Sequence, residues 1–260
     1  MNEVNKTLYI PLYGKAYVSQ RGIILHDPKA EMIWAQEGFA LKGKSKSKWL
    51  AYNMGMRSAV FDRWVEEETS RRSDAIVLHI GCGMDSRAER AQHHAAMWYD
   101  IDFPEVIAER RKYYAEHEAY RMIGADVREE NWLQELPGGH AIVVMEGVSM
   151  YLGTMEMKKL LCRLSAHFES VSLLADFYTT FAAKASKYKN PINDVGVTTV
   201  YGMDDPKELE AETGFAYVRE HDLTPMDMIA SLSSAEQMFF RLFFAGKMAK
   251  GIYRLYEYRT

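Results

Sequence analysis

The chain has few cysteines: Cys82 and Cys162 are the only two in 260 residues. Two cysteines are too few for a disulfide scaffold, and their separation does not match the spacing of metal ligands. The sequence also lacks an apolar run of the ~20 residues that a membrane-spanning helix needs, and its N-terminus lacks the pattern of a signal peptide. These absences argue against a disulfide-rich secreted domain and an integral membrane protein, so we expect a cytoplasmic protein.

A strong net charge is missing as well, since 32 Lys and Arg residues against 36 Asp and Glu residues give a formal charge of −4. No segment accumulates enough basic residues to indicate a nucleic-acid surface. Hydrophobic residues make up 48% of the chain, which is ample for a core and argues against disorder. We expect one domain over residues 1–260 with no nucleic-acid or membrane partner. The sequence does not indicate an oligomeric state.

The clearest local pattern lies in Ala75–Arg90. The run Ile76–Ile80 is mostly β-branched and apolar, which is typical of a strand buried on both faces. Gly81 and Gly83 follow it and allow a tight turn and a close ligand approach. A helix is expected to begin near Arg87, so free N–H groups would face a ligand. Strand, turn and helix together predict a nucleotide-type pocket.

The same segment helps to distinguish between nucleotides. A dinucleotide fingerprint would have a third glycine where Ser86 stands, and Asp85 precedes it. A carboxylate at this helix end disfavours a pyrophosphate. S-adenosylmethionine carries a cationic centre and no phosphate, so the objection does not apply to it. An ordinary strand–turn–helix without a ligand remains an alternative on this pattern alone.

Apolar runs and helical patterns alternate from residue 75 onward, which predicts an α/β fold with a mostly parallel sheet and helices on both faces. Residues 1–74 are expected to form an N-terminal helical portion, and about 178–200 a cap inserted after the fifth strand. Helices are expected at Glu105–His117 and, as one long helix, from the Thr224–Asp227 cap through Phe243. The predicted strands are Ile76–Ile80, Met97–Asp100, Tyr120–Ile123, Ala141–Met145, Val171–Phe177, Phe215–Arg219 and Ile252–Tyr258.

Acidic residues follow several of the predicted strands. Asp100 and Asp102 follow the second strand, Asp126 the third and Glu146 the fourth. Ligands of open α/β sheets bind at the carboxyl ends of the strands, and an acid about 20 residues beyond the glycine turn can accept ribose hydroxyls. Each acid alone could be a helix cap or a loop residue. As a set, they suit an adenosine followed by a sulfonium cation.

Several segments carry a family resemblance. HIGCGMDSRAER, WYDIDFPEV, GADVREENW and EGVSMYL, in this order, resemble the motifs of the leucine carboxyl methyltransferase superfamily. PLYGKA, MRSAVFD and YGMDDPKELE are similar to its bacterial branch of tetracenomycin-type polyketide O-methyltransferases. The resemblance runs from about residue 8 onward. It implies a class I methyltransferase-like, Rossmann-like fold with a seven-stranded sheet.

The resemblance also implies a site for S-adenosylmethionine. Arg57 would bind the carboxylate of the methionine moiety, a role suited to a bidentate guanidinium. Asp100 and Asp102 would flank the ribose, without a decision between them. Tyr151 would lie near the transferred methyl group and is the candidate catalytic residue. The implied cofactor-binding residues are Arg57, Gly81, Cys82, Gly83, Asp100, Asp102, Asp126, Val127 and Glu146.

The acceptor side is less defined. His79 stands where the family often has Asn, and Lys15 where relatives tend to have Arg; a packed, hydrogen-bonded role is expected for His79. No metal site is expected. The candidate substrate-binding residues are Tyr13, Lys15, Tyr17, Tyr178 and Tyr201.

The expected activity is O-methylation of a small, polyketide-like molecule on a carboxylate or a phenol. A carboxylate is already ionised at pH 7, whereas a phenol requires a base such as His. No histidine falls in a motif near the methyl group, which favours a carboxylate. Three alternatives remain: a non-catalytic S-adenosylmethionine-binding regulator, a carboxyl methyltransferase acting on a protein C-terminus, and an NAD-dependent oxidoreductase.

Overall fold

The computed structural model describes residues 8–37, 46–186 and 200–260. Seven strands form one sheet in the order β3-β2-β1-β4-β5-β7-β6. The first five strands are parallel, and β7 is antiparallel to both of its neighbours. The α/β fold with a mostly parallel seven-stranded sheet is therefore confirmed. The strands are β1 Ile76–Ile80, β2 Met97–Asp102, β3 Tyr120–Gly124, β4 His140–Met145, β5 Ser170–Tyr178, β6 Ala216–His221 and β7 Tyr253–Arg259.

Helices cover both faces of the sheet. The α-helices are α1 Tyr9–Gln20, α2 Pro28–Glu37, α3 Lys48–Arg71, α4 Arg87–Arg90, α5 Pro104–Arg110, α6 Thr154–His167, α7 Thr180–Ser186, α8 Met226–Ile229, α9 Ser234–Phe243 and α10 Lys247–Lys250. Short 3₁₀ helices span Asn131–Glu135, Ser149–Tyr151 and Pro206–Leu209.

The alternation of side chains along β1 divides the core into two layers. Val77 packs into the layer that contains α1, α2 and α3. Ile76 and Leu78 pack into the layer that contains α6. All five residues of β1 are buried, as expected for a strand covered on both faces. His79 follows Val77 by two residues and therefore points toward α3.

The strand order reverses next to β1. β1 lies between β2 and β4. The connection from β1 to β2 therefore runs in one direction along the sheet, and the connection from β4 to β5 runs in the other. A crevice forms at the carboxyl ends of the strands at such a switch point. The fold therefore places the Gly81–Gly83 turn, the end of β2 and the end of β4 around one opening.

The first helix has no clear apolar period in the sequence, yet α1 is a regular helix of 12 residues. Its buried residues lie all around the helix and include Leu12, Lys15, Ala16 and Ser19. A helix that is covered on nearly every side needs no single apolar stripe. The helical N-terminal portion is present, although periodicity alone did not indicate this element.

The single long helix predicted through Phe243 is wrong, because two helices, α8 and α9, stand in its place. Ser233 begins a new helix in a capping box with Glu236, whose Oε2 accepts from the Ser233 hydroxyl at 2.7 Å. The side chains of Ser233 and Glu236 satisfy backbone N–H groups at the start of α9, which a continuous helix would have bonded internally. Several boundaries also differ from the predicted ones: for example, β2 extends to Asp102, α5 ends at Arg110, and β7 ends at Arg259.

The predicted cap after the fifth strand lies partly outside the described residues. Its first part is α7, whereas residues 187–199 are not described, and neither are residues 42–45 of the Lys42–Lys48 loop. None of the helices within the described ranges is long and apolar enough to cross a membrane.

Candidate active site

A cavity of about 280 Å³ opens at the carboxyl ends of β1, β2 and β4. The Gly81–Gly83 turn forms one wall, and Leu8, Pro11 and Leu12 at the start of the chain form another. The remaining walls come from the residues that follow β2, β3 and β4. This is the position that the strand order predicts for a ligand.

The glycine turn is held against β2. Gly81 and Gly83 have positive φ angles of +69° and +50°, which favour glycine. A Cβ on Gly81 would clash with Cγ2 of Val148, so the packing of the turn also requires that position 81 carry no side chain. Cys82, between the two glycines, is buried, and burial raises the pKa of its thiol.

Asp102 stands at the end of β2 and lines the cavity. Its Oδ2 accepts from the Gly83 amide at 2.8 Å and its Oδ1 from the Phe103 amide at 2.7 Å. Burial raises the pKa of Asp102 to about 6, although the two amides and Arg110 oppose this shift. Each oxygen keeps a lone pair for a further donor. Asp102 is therefore an oriented acceptor at the cavity wall.

Asp100 does not line the cavity and is fully buried. Its oxygens accept from His79 Nδ1, Trp98 Nε1, the Tyr120 hydroxyl and Arg110. Burial would raise the pKa of Asp100, but Arg110 and the hydrogen bonds lower it to about 2. Because protein groups occupy this carboxylate, the geometry favours Asp102 over Asp100 for a ribose.

Arg57 and Glu146 line the cavity on the side of β4. Arg57 donates through Nε to Glu146 at 3.0 Å and through Nη1 to Asp176 at 2.9 Å. Glu146 also accepts from Arg87. Burial would raise the pKa of Glu146, but Arg57 and Arg87 lower it to about 2. No described residue accepts a hydrogen bond from Nη2 of Arg57, so this group can bind a ligand anion.

Lys15 is the one predicted acceptor-binding residue that lines the cavity, and it does so beside the glycine turn. Its Nζ lies 2.9 Å from Oδ2 of Asp85. Asp85 also pairs with Arg87 and Arg90. Despite the opposing effect of burial, these cations hold the pKa of Asp85 well below its usual range. Since its charge is compensated, the predicted repulsion between Asp85 and a pyrophosphate is not supported.

Asp126 and Val127 line the far wall after β3. Arg128 binds the Asp126 carboxylate from its backbone amide at 2.9 Å and from its guanidinium. The hydrogen bond from Arg128 lowers the pKa of Asp126. The Val127 carbonyl accepts from Arg163 at 2.9 Å. Both residues lie where the sequence placed them, with the acid already paired within the chain.

The predicted tyrosines separate into two groups. Tyr151 lines the cavity, at the end of the 3₁₀ helix after β4. Tyr13 donates to the Lys46 carbonyl, Tyr17 contacts the Tyr52 ring, and Tyr178 packs on Tyr253 at 4.3 Å between centroids. Tyr201 is 49% exposed. These four are not among the residues that line the cavity, because α1 turns its tyrosines toward α2 and α3 and β5 ends in a separate apolar cluster.

Sequence reasoning missed the apolar wall. Phe103 and Val106 line the cavity just after Asp102, and Pro11 and Leu12 of α1 approach it together with Leu8, the residue before α1. The position of Phe103 next to Asp102 was a usable signal, since a residue after a strand-end acid faces the same opening. The approach of α1 depends on tertiary packing, which a local pattern does not report.

The donor set indicates the kind of ligand that fits. The cavity combines an apolar wall, an oriented carboxylate acceptor at Asp102, and cations at Lys15 and Arg57. An adenosyl group with a ribose diol and an amino-acid carboxylate has matching parts. In the described ranges, no cluster of three His, Cys, Asp or Glu side chains is placed to hold a metal ion.

Comparison with known proteins identifies the family of this chain and two of its relatives. Residues 10–165 match the family described as leucine carboxyl methyltransferase. The tetracenomycin polyketide synthesis O-methyltransferase TcmP of Streptomyces glaucescens is 31% identical over 184 residues, which are 70% of this chain and 68% of that protein. The S-adenosyl-L-methionine-dependent methyltransferase dpfgK of Gibberella zeae is 28% identical over 83% of this chain and 80% of that protein.

The fold is also found in a solved structure. Magnesium protoporphyrin IX methyltransferase from Synechocystis, solved with bound S-adenosylhomocysteine, superposes with a TM-score of 0.53. It is 14% identical, over 89% of this chain and 92% of that one, so it bears on the fold alone. The chain belongs to the leucine carboxyl methyltransferase family and is an S-adenosylmethionine-dependent methyltransferase.

Proposed function

We propose that the chain transfers a methyl group to a carboxylate oxygen of a small organic acid. S-adenosylmethionine supplies an electrophilic methyl group on a sulfonium when it is bound. The name of the Streptomyces relative, an O-methyltransferase of polyketide synthesis, supports a small-molecule acceptor over a protein C-terminus.

The cavity residues suit distinct parts of the cofactor. Asp102 would accept the ribose hydroxyls, because its carboxylate is oriented by two amides. Arg57 and Lys15 would bind the amino-acid carboxylate, which moves Lys15 from the acceptor side to the cofactor side. The adenine would lie between Phe103 and Val106 and the residues after β3, namely Asp126 and Val127.

The methyl end of the cavity is assigned to the residues after β4. Glu146 and Tyr151 line this part of the wall. The pairing of Glu146 with two arginines compensates its charge, so it would act on the cofactor mainly by holding Arg57. Tyr151 stays our candidate for contact with the reacting groups.

The observation that carries the choice of a carboxylate acceptor concerns histidine. Among the described residues, His79 is the histidine that lines the cavity, and both of its nitrogens contact protein groups, at 3.0 Å from Asp100 and 3.1 Å from Arg87. A phenol with a pKa of about 10 needs a base, whereas a carboxylic acid with a pKa near 4 is ionised at pH 7. The site therefore suits an acceptor that brings its own charge.

The protein's contribution to such a reaction is positioning. Alignment of two bound reactants can lower the activation free energy by roughly 7–11 kcal/mol. The apolar side chains Pro11 and Leu12 of α1 would keep water away from an acceptor oxygen, which would otherwise be solvated. Neither effect needs a group that gains or loses a proton.

The test is a methyl-transfer assay with a panel of paired acceptors, each an aromatic carboxylic acid matched with the phenol of the same ring. Products are identified by mass spectrometry before and after mild alkaline hydrolysis, since a methyl ester is cleaved and an aryl methyl ether is not. We expect alkali-labile products. Alkali-stable products alone would instead support a phenol acceptor.

The same assay distinguishes the remaining alternatives. Binding of S-adenosylhomocysteine without turnover of any acceptor would support a regulatory binding protein. Turnover of a peptide with a free C-terminal carboxylate, and of no small acid, would support a protein substrate. Two variants accompany the assay. Arg57→Ala should weaken cofactor binding by tenfold or more, because it loses a charge-assisted hydrogen bond worth about 1.5–3 kcal/mol. The control, Arg121→Ala on β3, should bind the cofactor as the wild type does.

A further inference from the structure

A continuous set of polar contacts connects the two ends of the cavity. Asp102 at one end accepts from the Gly83 amide, and Arg57 at the other end donates to Glu146. Arg110 donates to the Gly83 carbonyl and to Asp100, while Arg87 donates to Glu146. His79 joins the two halves. We call this set the His79 network; its members in order are Asp102, Gly83, Arg110, Asp100, His79, Arg87, Glu146 and Arg57.

The protonation state of His79 follows from its partners. Arg87 Nη1 lies 3.1 Å from His79 Nε2, and a guanidinium can only donate. Nε2 must therefore accept through its lone pair. The proton then resides on Nδ1, which donates to Asp100 Oδ1 at 3.0 Å. His79 is a neutral imidazole in a single tautomer.

We propose that His79 is a positioning residue for the cofactor: its neutral ring holds Asp100 and Arg87 at once and so fixes both ends of the cavity. Its Asp100 side holds Arg110, which fixes the glycine turn beside Asp102. Its Arg87 side orients Glu146, which holds Arg57. The inference rests on the cavity being the cofactor site, and it assigns His79 no contact with the reacting atoms.

The surroundings of His79 explain why a charged ring is disfavoured there. The side chain is 1% exposed, and the charged groups that face it are Arg87 of α4, Asp85 between the glycine turn and α4, and Asp100 of β2. Trp98 of β2 presents its ring nearly edge-on at 6.1 Å. Burial and Arg87 lower the pKa of His79, and Asp100 opposes them. A proton on Nε2 would remove the acceptor for Arg87 and place two cations together.

Two substitutions separate positioning from packing. Asn offers an oxygen that accepts and an N–H₂ that donates, so His79→Asn can serve both Arg87 and Asp100. His79→Leu fills the space and offers neither group. His93→Leu is the matched control, because His93 is partly buried and packs on Trp98 at 4.7 Å but belongs to no link of the His79 network.

The experiment measures S-adenosylhomocysteine binding by calorimetry at pH 7.5, together with the melting temperature of each variant. Because His79→Leu leaves both Arg87 and Asp100 without this hydrogen-bond partner, neither end of the cavity is held in place, and we expect the variant to bind about tenfold or more weakly. We expect His79→Asn to stay within about threefold of the wild type, and His93→Leu to be unchanged. A purely packing role would lower the melting temperature of His79→Leu while the folded protein kept its affinity, which would overturn the proposal.

Nitrogen-15 NMR of the wild-type imidazole tests the proposal without any substitution. We expect a protonated Nδ1 and a bare Nε2 at pH 7.5, with the ring still neutral at pH 6.5. A protonated Nε2 would overturn the proposal even where His79→Leu fails to fold. If the wild type shows the expected tautomer but binds no S-adenosylhomocysteine, the cofactor assignment fails and the inferred role of His79 fails with it. The hydrogen bonds of the His79 network would then be present without a role in cofactor binding.

Discussion

Asp100 and Asp102 are two carboxylates on the same face of one strand, and their depth separates their roles. Asp100 lies two residues before Asp102 on β2 and therefore deeper in the sheet. It pairs with His79, and Arg110 and Tyr120 cover it. Asp102 pairs with Gly124 at the end of β2 and faces the cavity. A carboxylate inside the sheet binds protein donors, whereas one at the strand end can bind a ligand.

At the residue scale, the pKa of Asp102 predicts a pH dependence of cofactor binding. Ribose hydroxyls donate to the ionised carboxylate, and burial raises the pKa of Asp102 to about 6. Affinity for S-adenosylhomocysteine should therefore be constant above pH 7 and decrease below pH 6, with a slope that approaches about tenfold per pH unit. Calorimetry between pH 7.5 and 5 measures this. The isosteric variant Asp102→Asn should bind more weakly at pH 7.5 and with little further change on acidification.

The sign for stability is opposite to that for binding. Because the pKa of Asp102 is raised in the folded state, the folded protein holds this proton more tightly than the unfolded chain does. Ionisation of Asp102 thus opposes folding above pH 6, and this cost disappears as the pH falls toward 4. An affinity loss on acidification that persisted unchanged in Asp102→Asn would contradict the assignment of the ribose to Asp102.

At the element scale, α9 shows how tertiary packing selects among apolar residues. The helix carries Met238, Phe239, Phe240, Leu242 and Phe243, so its sequence is apolar on more than one face. Phe240 is fully buried against the α1–α3 layer, while Leu242 is 65% exposed. The stabilising contribution of the helix should therefore come largely from Phe240.

This contrast gives a matched pair of substitutions. Phe240→Ala should lower the free energy of unfolding by about 3–5 kcal/mol, because it leaves a cavity in the core. Leu242→Ala should change it by about 0.5 kcal/mol or less, as expected for a surface position. Denaturation in urea measures both. Equal losses for the two variants would mean that another surface covers Leu242 in solution.

At the scale of the whole molecule, we propose that residues 1–260 form a single domain. The helices before residue 74 and the sheet share one hydrophobic layer, in which Phe61 and Trp64 of α3 pack with Val77 of β1. Arg259 of the last strand also donates to Glu68 of α3 at 2.8 Å. A boundary at residue 74 would divide this layer.

A single domain should unfold in one cooperative step. The transitions followed by tryptophan fluorescence and by far-ultraviolet circular dichroism should coincide, since tryptophans lie both in α3 and in β2. S-adenosylhomocysteine at 100 times its dissociation constant should stabilise the entire transition by about 2.7 kcal/mol. Two separate transitions, with only one of them shifted by the ligand, would contradict the single-domain proposal.

Local patterns determined much of this protein. The strand that ends at Ile80, the glycines that need positive φ angles and the strand-end acids are each encoded by neighbouring residues, because period and turn chemistry are local properties. The motifs that accompany them placed Arg57, Gly81, Gly83, Asp102 and Glu146 at one cavity and indicated the family.

Tertiary structure alone decided which of the candidate residues line the cavity. Asp100 is withdrawn because Arg110 and Tyr120 fold over it, and Lys15 joins the glycine turn because α1 brings it to Asp85. The tautomer of His79 depends on Arg87, which approaches from the next helix. Each outcome depends on groups that lie apart in sequence and meet only in the folded chain, and for that reason no local pattern could report it.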